Sequence, residues 1–90
     1  MDKKRIAIIC VEKNSTTQFR EWVLRHIDER SIVAVWHDKI ETRLGEYVLV
    51  RSIKDCYSEK FDGLFSLTDD NASRRLEAYI RARSEIVEGK

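Results

Sequence analysis

Residues 5–11, Arg-Ile-Ala-Ile-Ile-Cys-Val, carry apolar side chains at consecutive rather than alternating positions. That is the pattern of a strand covered on both faces of a sheet. A polar break, Glu12-Lys13-Asn14, leads into Ser15-Thr16-Thr17-Gln18, the spacing of a capping box at a helix start. The periodicity predicts a helix over residues 15–29. Phe19, Trp22, Val23, His26 and Ile27 fall at i, i+3, i+4, i+7 and i+8 and face the sheet; Arg20, Glu21, Arg25, Asp28 and Glu29 face away. Residues 31–36, Ser-Ile-Val-Ala-Val-Trp, are again apolar on both faces and β-branched, so a second strand follows. Strand, helix, strand at this spacing predicts a right-handed parallel crossover.

From 37 to 44 the pattern divides. Ile40, Thr42 and Leu44 alternate with Lys39, Glu41 and Arg43, as in a strand entering a two-residue hairpin turn at Gly45-Glu46. Asp38 as an N-cap, with Gly45 just past the end, would make a short helix instead. The alternation favours the hairpin. Residues 47–50 then form a third strand, antiparallel to the second because no crossover-length segment separates them. Residues 52–60 are a polar loop with a helical turn, and 61–67 a turn feeding a fourth strand. Thr68-Asp69-Asp70-Asn71 opens the last helix, with carboxylates where the helix dipole favours them. Ala72, Leu76, Tyr79, Ile80 and Val87 mark its buried side, and Arg74, Glu77, Arg81 and Glu85 an outer ladder of alternating charge. The expectation is one α/β domain over residues 1–90, a Rossmann-like half with a four-stranded mixed sheet in the order β-α-β-β-β-α.

Composition narrows the function classes. The 90 residues hold 17 Lys+Arg against 16 Asp+Glu, a formal net charge of +1, with 42% hydrophobic residues. Such a balance suits a small globular core and supplies no overall field toward nucleic acid or an anionic membrane. There are three glycines, Gly45, Gly63 and Gly89, and no proline, so neither a dinucleotide fingerprint nor a Walker phosphate loop can be written. The apolar run 6–11 is far short of the roughly 18 residues of a membrane span. The chain reads as a cytoplasmic protein without a targeting segment. Two cysteines, Cys10 and Cys56, are too few for a disulfide scaffold, and Cys10 in an apolar strand suits an inert buried thiol.

Ligands in open α/β sheets bind beyond the carboxyl ends of the strands. There the sequence places Glu12, Lys13, Asn14 and Ser15, then His37 and Asp38, then Thr68, Asp69, Asp70 and Asn71. If these ends meet, Glu12, Asp38, Asp69 and Asp70 supply oxygen ligands suited to Mg²⁺. The plainer alternative makes Asp69 and Asp70 helix caps, and Glu12 and Asp38 solvated turn residues. Of the histidines, His37 beside Asp38 is the better candidate for chemistry, since a carboxylate can orient its ring; His26 reads as a residue at the edge of the core.

Two resemblances carry specific chemistry. Ile9-Cys10-Val11-Glu12-Lys13 with Leu67-Thr68-Asp69-Asp70-Asn71 resembles the Toprim domain of topoisomerases, primases and small nucleases. The resemblance implies acid/base catalysis by Glu12 and a Mg²⁺ held by Asp69 for phosphoryl transfer on nucleic acid. Asn71 stands where that family's second Asp belongs, and its neighbouring glycines are missing. Cys10-Val11-Glu12-Lys13-Asn14-Ser15-Thr16-Thr17 is similar to the phosphocysteine loop of sugar phosphotransferase-system IIB domains, which implies a phosphoryl carrier on Cys10. That chemistry needs a thiolate at a helix N-terminus, and the glycine of the family's loop is absent here.

Arg74, Arg75 and Arg81 are interleaved with Glu77, Glu85 and Glu88, as in a solvated ion-pair face. Trp22, Trp36, Tyr47, Phe61 and Phe65 fall mostly at core positions. Residues 47–50, if an edge strand, offer unpaired backbone to a partner's sheet or to a second copy. The sequence therefore favours a non-enzymatic binding or accessory protein acting through a protein partner or homodimer, without a cofactor. The alternatives are a Mg²⁺-dependent Toprim-like enzyme on Glu12 and Asp69, and a phosphoryl carrier on Cys10.

Overall fold

The first apolar run forms the strand around which the sheet is assembled. In a computed structural model, which describes residues 3–57 and 59–84, β1 (Lys4–Ile9) pairs in parallel on one side with β4 (Gly45–Val50) and on the other with β5 (Gly63–Ser66). Two further strands, β2 (Ile32–Val35) and β3 (Lys39–Thr42), form an antiparallel hairpin, and β3 pairs antiparallel with β4. The sheet is mixed, with five strands in the order β2-β3-β4-β1-β5.

Five strands rather than four result because the 31–44 region folds back on itself. The Trp36 N–H donates to the Lys39 carbonyl at 2.7 Å, closing a tight turn at His37-Asp38. A second turn follows at Arg43-Leu44, where Thr42 Oγ1 accepts from the Gly45 N–H at 3.1 Å and donates to the Gly45 carbonyl at 2.7 Å. Gly45 and Glu46 therefore belong to β4, not to the predicted turn. The antiparallel partner of β4 is β3 rather than the second strand. Two successive antiparallel pairings make β2 run in the same direction as β1 and β4, with β3 and β4 standing between β2 and β1. Residues 47–50 are interior, so the edge-strand expectation moves from them to β2 and β5.

Side chains alternate across the sheet and supply two cores. Helix α1 (Ser15–His26) covers one face, where Phe19 and Val23 pack with Ile8, Cys10, Ile40 and Leu49. Helix α2 (Asn71–Arg83) covers part of the other, where Leu76 and Ile80 pack with Ala7, Ile9, Val48, Val50, Cys56 and Phe61. Full burial of side chains of this size stabilises by about 1.5–3 kcal/mol each. Central β1 contributes Ala7, Ile8 and Ile9 to both cores with no exposure, as its unbroken apolar run requires.

The helix ends differ from expectation in three ways. Asn14, not Ser15, is the N-cap of α1, and its side chain makes no cap bond. Ser15 is buried, and Gln18 reaches back to Glu12 and Asn14, so no capping box forms. The helix stops at His26 rather than residue 29, because Ile27 is extended and the Asp28 carboxylate accepts from the Arg30 N–H at 2.9 Å, starting a 3₁₀ turn at Glu29–Ser31. On α2, Ser73 rather than Ala72 is buried. Val87, Glu85, Glu88 and Gly89 lie outside the described residues. Among the described residues, no helix is long and apolar enough to cross a membrane.

The second apolar run also departs from its pattern. As an edge strand β2 keeps Val33 58% and Val35 49% exposed, with Trp36 45% exposed just beyond it. Phe65 is exposed, Trp22 and Tyr47 are partly buried, and of the five aromatic residues, expected mostly at core positions, only Phe61 is buried. His26, expected on the sheet-facing stripe, is exposed and stacks on Trp22.

Candidate functional site

Because β1, β2, β4 and β5 run in one direction, their carboxyl ends lie at one end of the sheet, as the sequence reading requires. The carboxylates there take separate local partners. Glu12 Oε2 accepts from Gln18 Nε2 at 2.9 Å, and the same amide nitrogen donates to Asn14 Oδ1 at 2.6 Å. Asp69 is exposed and meets Arg74 Nε at 3.3 Å. Asp70 is the N-cap of α2, accepting from the Ser73 N–H at 2.8 Å. That bond favours the charged carboxylate and holds Asp70 below the usual carboxylate range. Asp38 lies in the β2–β3 turn, where its backbone carbonyl accepts from the Leu49 N–H at 2.8 Å. Its neighbour His37 is exposed and has no hydrogen bond to it among the described residues. Among the described residues, no group of three or more His, Cys, Asp or Glu side chains gathers as a metal-holding set.

Cys10 lies one residue past β1 and has no exposure. Burial pushes its thiol up, against a smaller opposing hydrogen bond from the Glu12 backbone. Its sulfur donates to Gln18 Oε1 at 3.7 Å. Cys56, on the opposite face, is also buried, and burial pushes its thiol up as well. A phosphocysteine requires the reverse conditions, an accessible sulfur with a lowered pKa.

A feature the motif search missed occupies the face that α2 leaves open. Arg5 on β1 lies opposite Glu46 on β4, which lies opposite Glu41 on β3. Arg5 Nε donates to Glu46 Oε1 at 2.6 Å and its Nη2 to Glu59 Oε2 at 2.8 Å, while Lys39 Nζ stands 3.8 Å from Glu46. Lys3 Nζ donates to Glu41 at 2.8 Å. The row is anchored by aromatic faces, with the Arg5 guanidinium 5.4 Å from the Phe61 ring centroid and Lys39 Nζ 4.5 Å from that of Trp36. Three cations and three carboxylates neutralise one another along this row. Its sequence signal is the alternation Lys39, Glu41 and Glu46 with Arg5, legible only once β1, β3 and β4 are known to be neighbours.

A further exposed feature is the outer edge of β2. Ile32–Val35 pairs with β3 on one side only, with a bulge between Ile32 and Ala34. Its edge carries Val33 and Val35, followed by Trp36. At the other edge, Leu64 of β5 packs into the α2-side core, and the Phe65 ring lies 5.2 Å from that of Trp22.

Comparisons with protein-family models, with curated proteins and with solved structures each find no match.

Proposed function

We propose that this chain is a non-enzymatic binding module acting through a protein partner, with an extended segment of that partner adding to the outer edge of β2. The observation that carries this reading is an edge strand with two exposed apolar side chains, Val33 and Val35, and an exposed Trp36 just beyond its end. Unpaired strand edges present a row of N–H and C=O groups that main-chain hydrogen bonds can satisfy, while alternate side chains confer specificity. Natural edges are commonly blunted by charge or proline; residues 32–36 contain neither. At the opposite edge Leu64 packs into the chain's own core, while Phe65 is exposed beside Trp22.

The test is selection of displayed random peptides on the full chain, followed by amide hydrogen exchange with a selected peptide bound. Protection concentrated on residues 32–35, and lost with Val35→Lys, supports the reading. Protection elsewhere, or binding indifferent to Val33→Lys and Val35→Lys, overturns it.

A further inference from the structure

We infer that the open part of the α2-side face holds a cleft for a small acidic amino acid, whose two carboxylates pair with Lys39 and Lys54 and whose ammonium pairs with Asp38. This goes beyond the proposed partner at the β2 edge and does not depend on it.

The cleft exists because cover on this face is incomplete. Helix α2 packs on β1 and β5, and the 3₁₀ turn Ile53–Asp55 packs on β4. A cleft of about 360 Å³ is left beside that turn, lined by Val48 and Leu49 of β4 and by charged residues of the flanking segments. Its volume lies within the roughly 300–1,000 Å³ of small-molecule sites. Asp38, a strand-end carboxylate, enters it from the β2–β3 turn and Lys39 from the start of β3, while Lys54 enters it from the 3₁₀ turn.

Three of the charged lining residues are already engaged. Arg5 donates to Glu46 and to Glu59, which takes up the Glu59 carboxylate. Asp55 Oδ2 accepts from the N–H groups of Arg51 and Ser52. The other three keep capacity for a ligand. The side chains of Asp38 and Lys54 have no partner among the described residues. Lys39 Nζ stands 3.8 Å from Glu46, longer than a hydrogen bond, and rests over the Trp36 ring.

An ammonium is a donor only and an ionised carboxylate an acceptor only. Two ammonium groups and one carboxylate are therefore complemented by two carboxylates and one ammonium. Joined on a chain short enough for the cleft, those groups make an acidic α-amino acid of the glutamate class. A dicarboxylate without the ammonium leaves Asp38 facing negative charge, and the corresponding amide leaves one lysine unpaired. Exposed ion pairs are individually weak, so binding needs all three together, with a dissociation constant on the order of 1 mM.

Titration of the ¹⁵N-labelled full chain with L-glutamate, L-glutamine and glutarate at constant ionic strength tests this. The expected result is saturable shifts of the amides of residues 38–39, 48–49 and 54–55 with glutamate, and binding about threefold to fivefold weaker with glutamine or glutarate. Lys54→Gln should weaken glutamate by a similar factor. Asp38→Asn should bring glutarate level with glutamate, an outcome that general disturbance of the cleft would not produce. Both side chains are exposed, and unchanged amide signals from β1 and α1 confirm that the variants fold. Shifts that rise linearly without saturating, shifts outside the cleft, or glutarate binding the parent as well as glutamate does, each overturn the inference. None of these outcomes bears on peptide binding at residues 32–35.

Discussion

Gly45 lies directly against the backbone of Lys4: a Cβ on Gly45 would stand 2.4 Å from the Lys4 carbonyl oxygen. The two are register partners in the parallel pairing of β4 with β1, and none of the described glycines has a positive φ. The glycine is needed for close approach rather than for a left-handed turn. Gly63, at the corresponding position of β5, would place its Cβ 3.2 Å from Ile6 Cδ1, the movable end of a side chain.

Gly45→Ala should therefore cost about 1–3 kcal/mol, the range for forcing atoms into a packed site, because backbone cannot move aside without disturbing the β1–β4 ladder. Gly63→Ala should cost less than about 1 kcal/mol, since rotation at Ile6 relieves the contact and alanine restricts the unfolded chain. Urea unfolding midpoints of the two variants, compared with the parent, give the order directly.

Arg5 ties three segments together through Glu46, Glu59 and the Phe61 ring. Its removal strips Glu59 of its partner and leaves Glu46 only Lys39 at 3.8 Å. Arg5→Ala should destabilise by about 1.5–3 kcal/mol, the scale of hydrogen bonds to charged groups. Arg5→Lys should recover only part of this, since an ammonium cannot reproduce the two-sided donation of a planar guanidinium. Chemical denaturation at low and at 1 M salt checks it: the Arg5→Ala penalty should shrink at high salt for the exposed share of the network.

Cys10 and Cys56 should resist thiol reagents in the native protein near neutral pH and react together on unfolding. Burial raises both thiols and hides both sulfurs, which lowers the thiolate fraction and blocks access. Time-resolved labelling across a urea series measures this. Native Cys10 reacting faster than a free thiol would instead favour the phosphoryl-carrier chemistry.

Asp70 carries a pH dependence whose sign follows from its cap. The Ser73 N–H and hydroxyl hold its carboxyl below the ordinary value, so the folded state binds its proton less readily than the unfolded chain. The resulting stability is present above the ordinary carboxylate pKa of about 4 and is lost as pH falls through the lower folded value. Asp70→Ala should be less stable than the parent at neutral pH, with the gap closing below about pH 4. Paired thermal melts between pH 3 and pH 7 follow the gap.

The α1 stripe at Phe19, Trp22, Val23 and Ile27 and the double-sided run of β1 were legible in sequence, because local periodicity and burial coincide there. The candidate carboxylates were legible as residues at strand ends, but their partners were not. Glu12 is held by Gln18 from the turn that was expected to be capped by that same glutamine, and the Arg5–Glu46–Glu59 row joins positions 41 and 54 residues apart in the chain.

By itself the sequence determined an α/β chain, with β1 in the middle of its sheet and amphipathic helices on it, since apolar spacing along a few turns or a few strand residues is a local property. Only the tertiary structure decided which apolar strand stays bare. Residues 31–36 and 47–50 carry similar patterns, yet the second is sandwiched between β3 and β1 while the first ends at the edge. Five strands place the outer two about 19 Å apart, and one helix about 10 Å wide lies on each face. Cover runs out before β2. An apolar run states what a strand can bury, and the number and order of its neighbours determine how much of it is buried.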